Sequence, residues 1–243
     1  SNNSTAIGYK ALQALQAGNA NLAIGYESSK FLTGGAANIT IGHQAMLNAT
    51  NISSAIFIGA NAGDAITTSI DPNGTIGIGY NALTNLTSGA GNTAIGYEAG
   101  KSITTGTHNT VFGYQALDAN VEGDYNTCIG SGAGGGFNNT GNDHNTCVGY
   151  NAGTGGNNQD VDDIVAIGSE ALTNIDNNGA DGSVAIGREA LKALTSSSGN
   201  VAIGYQAGLR HTSGAGCVYI GHKAADHCTD GHRNVAIGEA SLS

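Results

Sequence analysis

The stretch Asn92-Thr93-Ala94-Ile95-Gly96-Tyr97-Glu98-Ala99-Gly100 decides the fold, because it recurs in altered form along the whole 243-residue chain. Its central glycine stands at 8, 25, 42, 59, 79, 96, 113, 130, 149, 168, 187, 204, 221 and 238, fourteen copies spaced by 17 residues except for one interval of 20 and three of 19. Regular spacing of that kind marks a solenoid, in which each copy covers the open side of its neighbour. The copies fill 1–243 and are expected to form one repeat domain, a segment of a longer fibre.

Aligned on the glycine, each copy carries a large apolar residue just before it, as in Ile95, Ile186 and Phe112, and Thr, Val, Ile or Leu two residues earlier. β-Branched residues at period two predict a short strand, and the glycine ends it by adopting φ > 0 or by admitting close backbone. One strand per copy at fixed interval stacks in parallel. The chain is therefore expected to be an all-β parallel β-solenoid of fourteen coils, about 17 residues each. Ala or Ser follows three residues after the glycine and Leu or Gly after four, with a further apolar residue at seven in copies such as Leu86 and Leu194. That return stretch reads either as a second strand or as about one helical turn. Asparagine four before the glycine, as at Asn92, Asn109 and Asn145, is expected to hydrogen-bond from coil to coil.

The middle strand position is small or apolar throughout, as in Ala94, Cys128 and Ala185. With both faces free of charge, the isoleucine face is expected to fill the core, and the alanine face to lie against other chains. The chain is thus expected to be a homo-oligomer, packed side by side.

Forty glycines, one proline and no tryptophan fit a stack of thin cores rather than one large globule. With 8 basic against 18 acidic residues the chain repels phosphate backbones, so nucleic acid is not an expected partner. No apolar run approaches the roughly 18 residues of a membrane span, and membrane insertion is not expected.

The cores Ser183-Val184-Ala185-Ile186-Gly187 and Asn200-Val201-Ala202-Ile203-Gly204 resemble the Asn-Ser-Val-Ala-Ile-Gly repeat of YadA-like trimeric autotransporter heads. The longer form, with Tyr and Ala after the glycine, is similar to repeats of bacteriophage tail fibres and of large surface proteins of aquatic microbes and viruses. The resemblance implies a left-handed parallel β-roll, three chains about one axis, and an attachment role outside the cell, on a cell surface or a virion. The period here is longer than in the adhesin heads, and Tyr plus Ala stand where those heads prefer small polar residues.

The function expected is a non-enzymatic structural or adhesive fibre, homotrimeric. The alternative is a head that binds a host-surface glycan or protein through the longer copies, 59–79 and 130–187. An ice-binding solenoid ranks below both, because Thr93, Thr110, Thr127 and Thr146 share a face with isoleucines assigned to the core.

Tyrosine follows the glycine in seven copies, and Tyr80, Tyr97, Tyr114 and Tyr150 form a candidate ladder for a surface ligand such as sugar rings. Packing between chains explains the same ladder. Asp160, Asp162, Asp163, Asp176 and Asp181 fall in two successive long copies and offer oxygen ligands of the kind Ca²⁺ takes, although a solvated acidic edge also accounts for them. Cys128 and Cys147 occupy one position in consecutive copies and read as stacked buried thiols. Cys217, His222, His227, Cys228 and His232 lack metal-site spacing. No catalytic motif stands out, since Gly130–Gly135 matches GxGxxG only through glycine abundance.

Overall fold

A computed structural model describes residues 3–67, 73–138, 141–155, 161–175 and 180–243. The chain divides into two units, Ser1–Glu122 and Gly123–Ser243. Each is a parallel β-solenoid of seven three-residue strands. Unit 1 holds β1 (Thr5–Ile7), β2 (Leu22–Ile24), β3 (Ile39–Ile41), β4 (Ile56–Ile58), β5 (Ile76–Ile78), β6 (Thr93–Ile95) and β7 (Thr110–Phe112). Unit 2 holds β8 (Thr127–Ile129), β9 (Thr146–Val148), β10 (Val165–Ile167), β11 (Val184–Ile186), β12 (Val201–Ile203), β13 (Val218–Ile220) and β14 (Val235–Ile237).

Within each unit the strands pair in sequence order with equivalent residues in register, for example Thr93↔Thr110 and Ala94↔Val111, or Val184↔Val201 and Ala185↔Ala202. Each strand is as short as the sequence pattern requires, because the central glycine ends it. Gly96 has φ 143°, and a Cβ placed on it would overlap the carbonyl of Gly113 in the next coil. Both constraints exclude any other residue there.

The two strand faces are the reverse of the expectation. Middle residues are buried in β2–β14, as Ala94 and Ala185 show, whereas the flanking β-branched residues face outward and are half-buried or exposed. Phe112 is 54 % exposed, and Ile237 is 67 % exposed. The reason is the width of a coil. The interior must also hold the alanine three residues after the glycine, as at Ala99, and an apolar residue such as Leu86 or Ile103. Little room is left opposite the strand. Where a ring enters the inner face, glycine makes way for it. Phe57 pairs with Gly77 across β4 and β5, and a Cβ on Gly77 would stand 2.7 Å from the Phe57 ring. Tyr219 instead meets a turn glycine, Gly208, where a Cβ would stand 2.8 Å from its ring.

The return stretch is neither strand nor helix. It is a run of tight turns in which the residues two and four after the glycine adopt left-handed φ, such as Asn81 (53°) and Leu83 (52°), or Gln206 (55°) and Gly208 (61°). Along these turns, alternate amides bond within the coil and to the next one: Ala82 N–H to Gly79 (3.3 Å), then Leu83 N–H to Ala99 (3.1 Å). At the fourth position glycine and leucine predominate, with Ser29, Met46 and Ala225 in three other copies. Glycine adopts the conformation without strain, while Leu83, Leu117, Leu172 and Leu191 offset it by full burial of the side chain.

Asparagines bond from coil to coil as expected. In unit 1, Asn92 Oδ1 accepts from the backbone N–H of Asn109 at 3.0 Å, and its Nδ2 donates to the Gly106 carbonyl at 2.7 Å. In unit 2, Asn145 does the same with Ile164 (3.1 Å) and Val161 (2.6 Å). These buried side chains satisfy backbone groups that the turns leave open.

Candidate functional site

Two surface features repeat coil after coil. The first is the outer strand face, with two columns of side chains: Thr, Val, Ile or Leu in one, and Ile, Val or Phe in the other. Strands about 4.8 Å apart make the second column a continuous apolar ridge within its unit, while the first mixes Val, Ile and Leu with Thr93, Thr110, Thr127 and Thr146. In unit 1 the two columns include Ile56, Ile58, Ile76, Ile78 and Ile95, and in unit 2 Val165, Ile167, Val184 and Ile186. No charged residue interrupts either column.

The second feature is the aromatic column after the glycine. Tyr80, Tyr97 and Tyr114 stack with ring centroids 5.2 Å apart and interplanar angles of 17° and 10°. Tyr9, Tyr26 and His43 form a second stack at 5.3 and 5.2 Å. In unit 2, Tyr205 stacks on His222 at 5.3 Å. Tyr150 joins no ring among the described residues, since Ser131 and Ser169 occupy the adjoining positions. All four tyrosines of the candidate ladder are exposed. Within a stack, however, ring faces lie against ring faces, so a sugar meets ring edges except at the end of a stack.

Beside this column runs a carboxylate–amide–ammonium pattern that the sequence reading missed. Glu98 accepts from Lys101 (3.1 Å) and from Gln115 of the next coil (2.9 Å). Glu27 with Lys30 and Gln44, and Glu189 with Lys192 and Gln206, repeat the arrangement. Hydrogen bonds from Gln115 and Lys101 hold the Glu98 carboxyl below its usual value, and Glu98 in turn raises the Tyr97 phenol. The spacing Glu, then Lys three later, then Gln 17 later was the available signal.

Of the acidic residues considered for Ca²⁺, Asp160 and Asp176 lie outside the described residues. Asp162 and Asp181 share a column with Asp143 and Asp124. Asp143 Oδ1 accepts the Asp124 N–H at 2.6 Å, Asp162 Oδ1 accepts that of Asp143 at 2.8 Å, and Asp181 Oδ1 accepts that of Asp162 at 3.1 Å. Asp163 sits next along, in a left-handed conformation with φ 58°. Among the described residues no group of three or more His, Cys, Asp or Glu side chains is placed to hold a metal ion.

Cys128 and Cys147 are register partners in β8 and β9, buried and unbridged. Hydrogen bonding to Cys147, reinforced by burial, pushes the Cys128 thiol up, which makes it inert. The C-terminal histidines and cysteines diverge to separate partners. His222 stacks on Tyr205, His227 meets Asp226 at 2.9 Å, and His232 Nδ1 accepts the Ala215 N–H at 3.1 Å. Cys217 Sγ donates to the Gly231 carbonyl at 3.0 Å. Sequence reasoning also missed buried His211, whose Nε2 contacts the Gly214 carbonyl at 2.9 Å and whose Nδ1 faces the Tyr219 hydroxyl at 3.4 Å. His211 stands seven residues after Gly204, where other copies carry Leu86 or Leu194, and Tyr219 holds the middle strand position, so a polar ring at each of two recurring apolar positions was the available signal.

No helix among the described residues is long and apolar enough to cross a membrane. No family model, no curated protein and no solved structure matches the chain.

Proposed function

We propose that the chain is a segment of a non-enzymatic structural or adhesive fibre on a cell surface or virion, whose outer strand face packs against two further copies of itself. The single observation that carries this reading is the pair of uncharged columns, mostly β-branched, that face outward in both units. A monomer rarely leaves so continuous an apolar surface to water, and β-branched side chains in register interlock with an identical surface at little entropic cost. The number three comes from the resemblance to trimeric adhesin heads. Repeated weak surface contacts along such a fibre add through avidity.

The test is the native mass of Ile78→Lys/Ile95→Lys. Both side chains are half-buried in the single chain, so the variant folds. The reading expects it to fall from trimer to monomer; a mass equal to that of the wild type would defeat the reading.

One observation favours a second reading. Thr93 and Thr110 in unit 1, and Thr127 and Thr146 in unit 2, also face outward rather than into the core. The objection to an ice-binding face therefore no longer holds. A monomeric wild type that stops ice recrystallisation would support that alternative.

A further inference from the structure

The aromatic column of unit 1 lacks one ring. At the position after the glycine its seven coils hold, in order, Tyr, Tyr, His43, Ala60, Tyr80, Tyr and Tyr. Backbone hydrogen bonds fix the sequence of levels: the Asn61 N–H donates to the His43 carbonyl at 2.9 Å, and the Asn81 N–H donates to the Ala60 carbonyl at 3.0 Å. Ala60 therefore occupies the level between His43 and Tyr80.

Each of those two rings has one face in use. His43 lies on Tyr26 with planes 8° apart, and Tyr80 lies on Tyr97 with planes 17° apart. Among the described residues no ring covers the opposite face of either one. With strands spaced by about 4.8 Å, the uncovered faces are two levels, about 10 Å, apart. A single methyl group, that of Ala60, stands between them. A flat ring placed midway would sit about 5 Å from each neighbour, within the range favoured by offset aromatic pairs. That is also the 5.2 Å spacing found within the stacks.

We propose that His43, Ala60 and Tyr80 form a slot that takes one planar aromatic side chain, of phenol or indole size, from a partner protein. Two parallel π faces suit a flat ring better than a puckered sugar. The net charge of −10 disfavours a nucleobase, which would bring phosphates with it. All three residues belong to one chain, so the slot is complete whether or not copies associate.

NMR titration of the intact chain with p-cresol tests the slot. Saturable shifts should centre on His43, Ala60 and Tyr80, with a dissociation constant on the order of 1 mM. Ala60→Tyr restores the ring found at the other levels and should weaken binding at least about tenfold. Ala60→Ser leaves the slot open and should bind like the wild type. A methyl β-glucoside should produce no saturable shift. The proposal is overturned if the wild type shows no saturation at concentrations on the order of 10 mM. Equal binding by Ala60→Tyr, or tighter binding of the glucoside than of p-cresol, overturns it as well.

Discussion

The inner and outer faces of the same three-residue strands obey opposite size rules. Inside, alanine dominates, and the two large rings, Phe57 and Tyr219, need glycines beside them. Outside, isoleucine and valine recur although a single chain does not bury them. A coil of 17 residues is too narrow to place large side chains on both the strand and the turns, and the turns take the space. On the strands, large apolar residues therefore mark the outward face and small ones the inward face, while the large core side chains, such as Leu86 and Ile103, come from the turns.

The most damaging way to break this arrangement is at the glycine that joins the two faces. Gly96→Ala combines a disallowed φ with overlap against the Gly113 carbonyl. It should destabilise unit 1 by about 3–5 kcal/mol in denaturant titration. The outward Ile95→Ala, by contrast, should cost a single chain less than about 1 kcal/mol.

Next comes a double-mutant cycle on the inner face. Phe57→Ala should cost about 3–5 kcal/mol through the cavity it leaves. Gly77→Ala should cost about 1–3 kcal/mol while Phe57 is present. Once Phe57 is alanine, the same change at Gly77 should be neutral or stabilising, since its φ is not left-handed. Additive costs would mean that the ring and the glycine are not matched.

A smaller effect concerns the buried polar pair of unit 2. Burial is the main cause that holds the His211 pKa below its ordinary value. The unfolded chain takes up this proton near pH 6.5 and the folded chain resists it, so unfolding gains a proton as the solution acidifies. Stability should be at its plateau above about pH 6.5 and decline below it. Thermal melts between pH 7 and pH 5 should show a slope that His211→Leu reduces. An unchanged slope would place its origin elsewhere.

Much of the fold was legible in the sequence because the repeat is nearly metric. The β-branched pair around Ala94 and the glycine after Ile95 give each strand its limits, and equal spacing gives parallel register. The faces were not legible, because the usual expectation that isoleucine is inside and alanine outside assumes a core wide enough for isoleucine. The return turns were hidden for a different reason. Glu98, Leu83 and Leu117 are not residues that prefer left-handed φ, and the signal came only from glycine at the fourth position, as at Gly63, Gly100, Gly134, Gly153 and Gly208, and asparagine at the second, as at Asn61, Asn81 and Asn151. The tyrosine column was visible as a recurring position. Its stacking and its missing level at Ala60 became visible only in three dimensions.

Native mass in solution, measured for the wild-type chain by sedimentation equilibrium, tests the central claim most directly. If copies cover the outer strand face, the chain should sediment at three times its sequence mass, and Ile78→Lys/Ile95→Lys should sediment at one. A wild type that remains monomeric at high concentration, with its isoleucine and valine columns in water, would contradict the account.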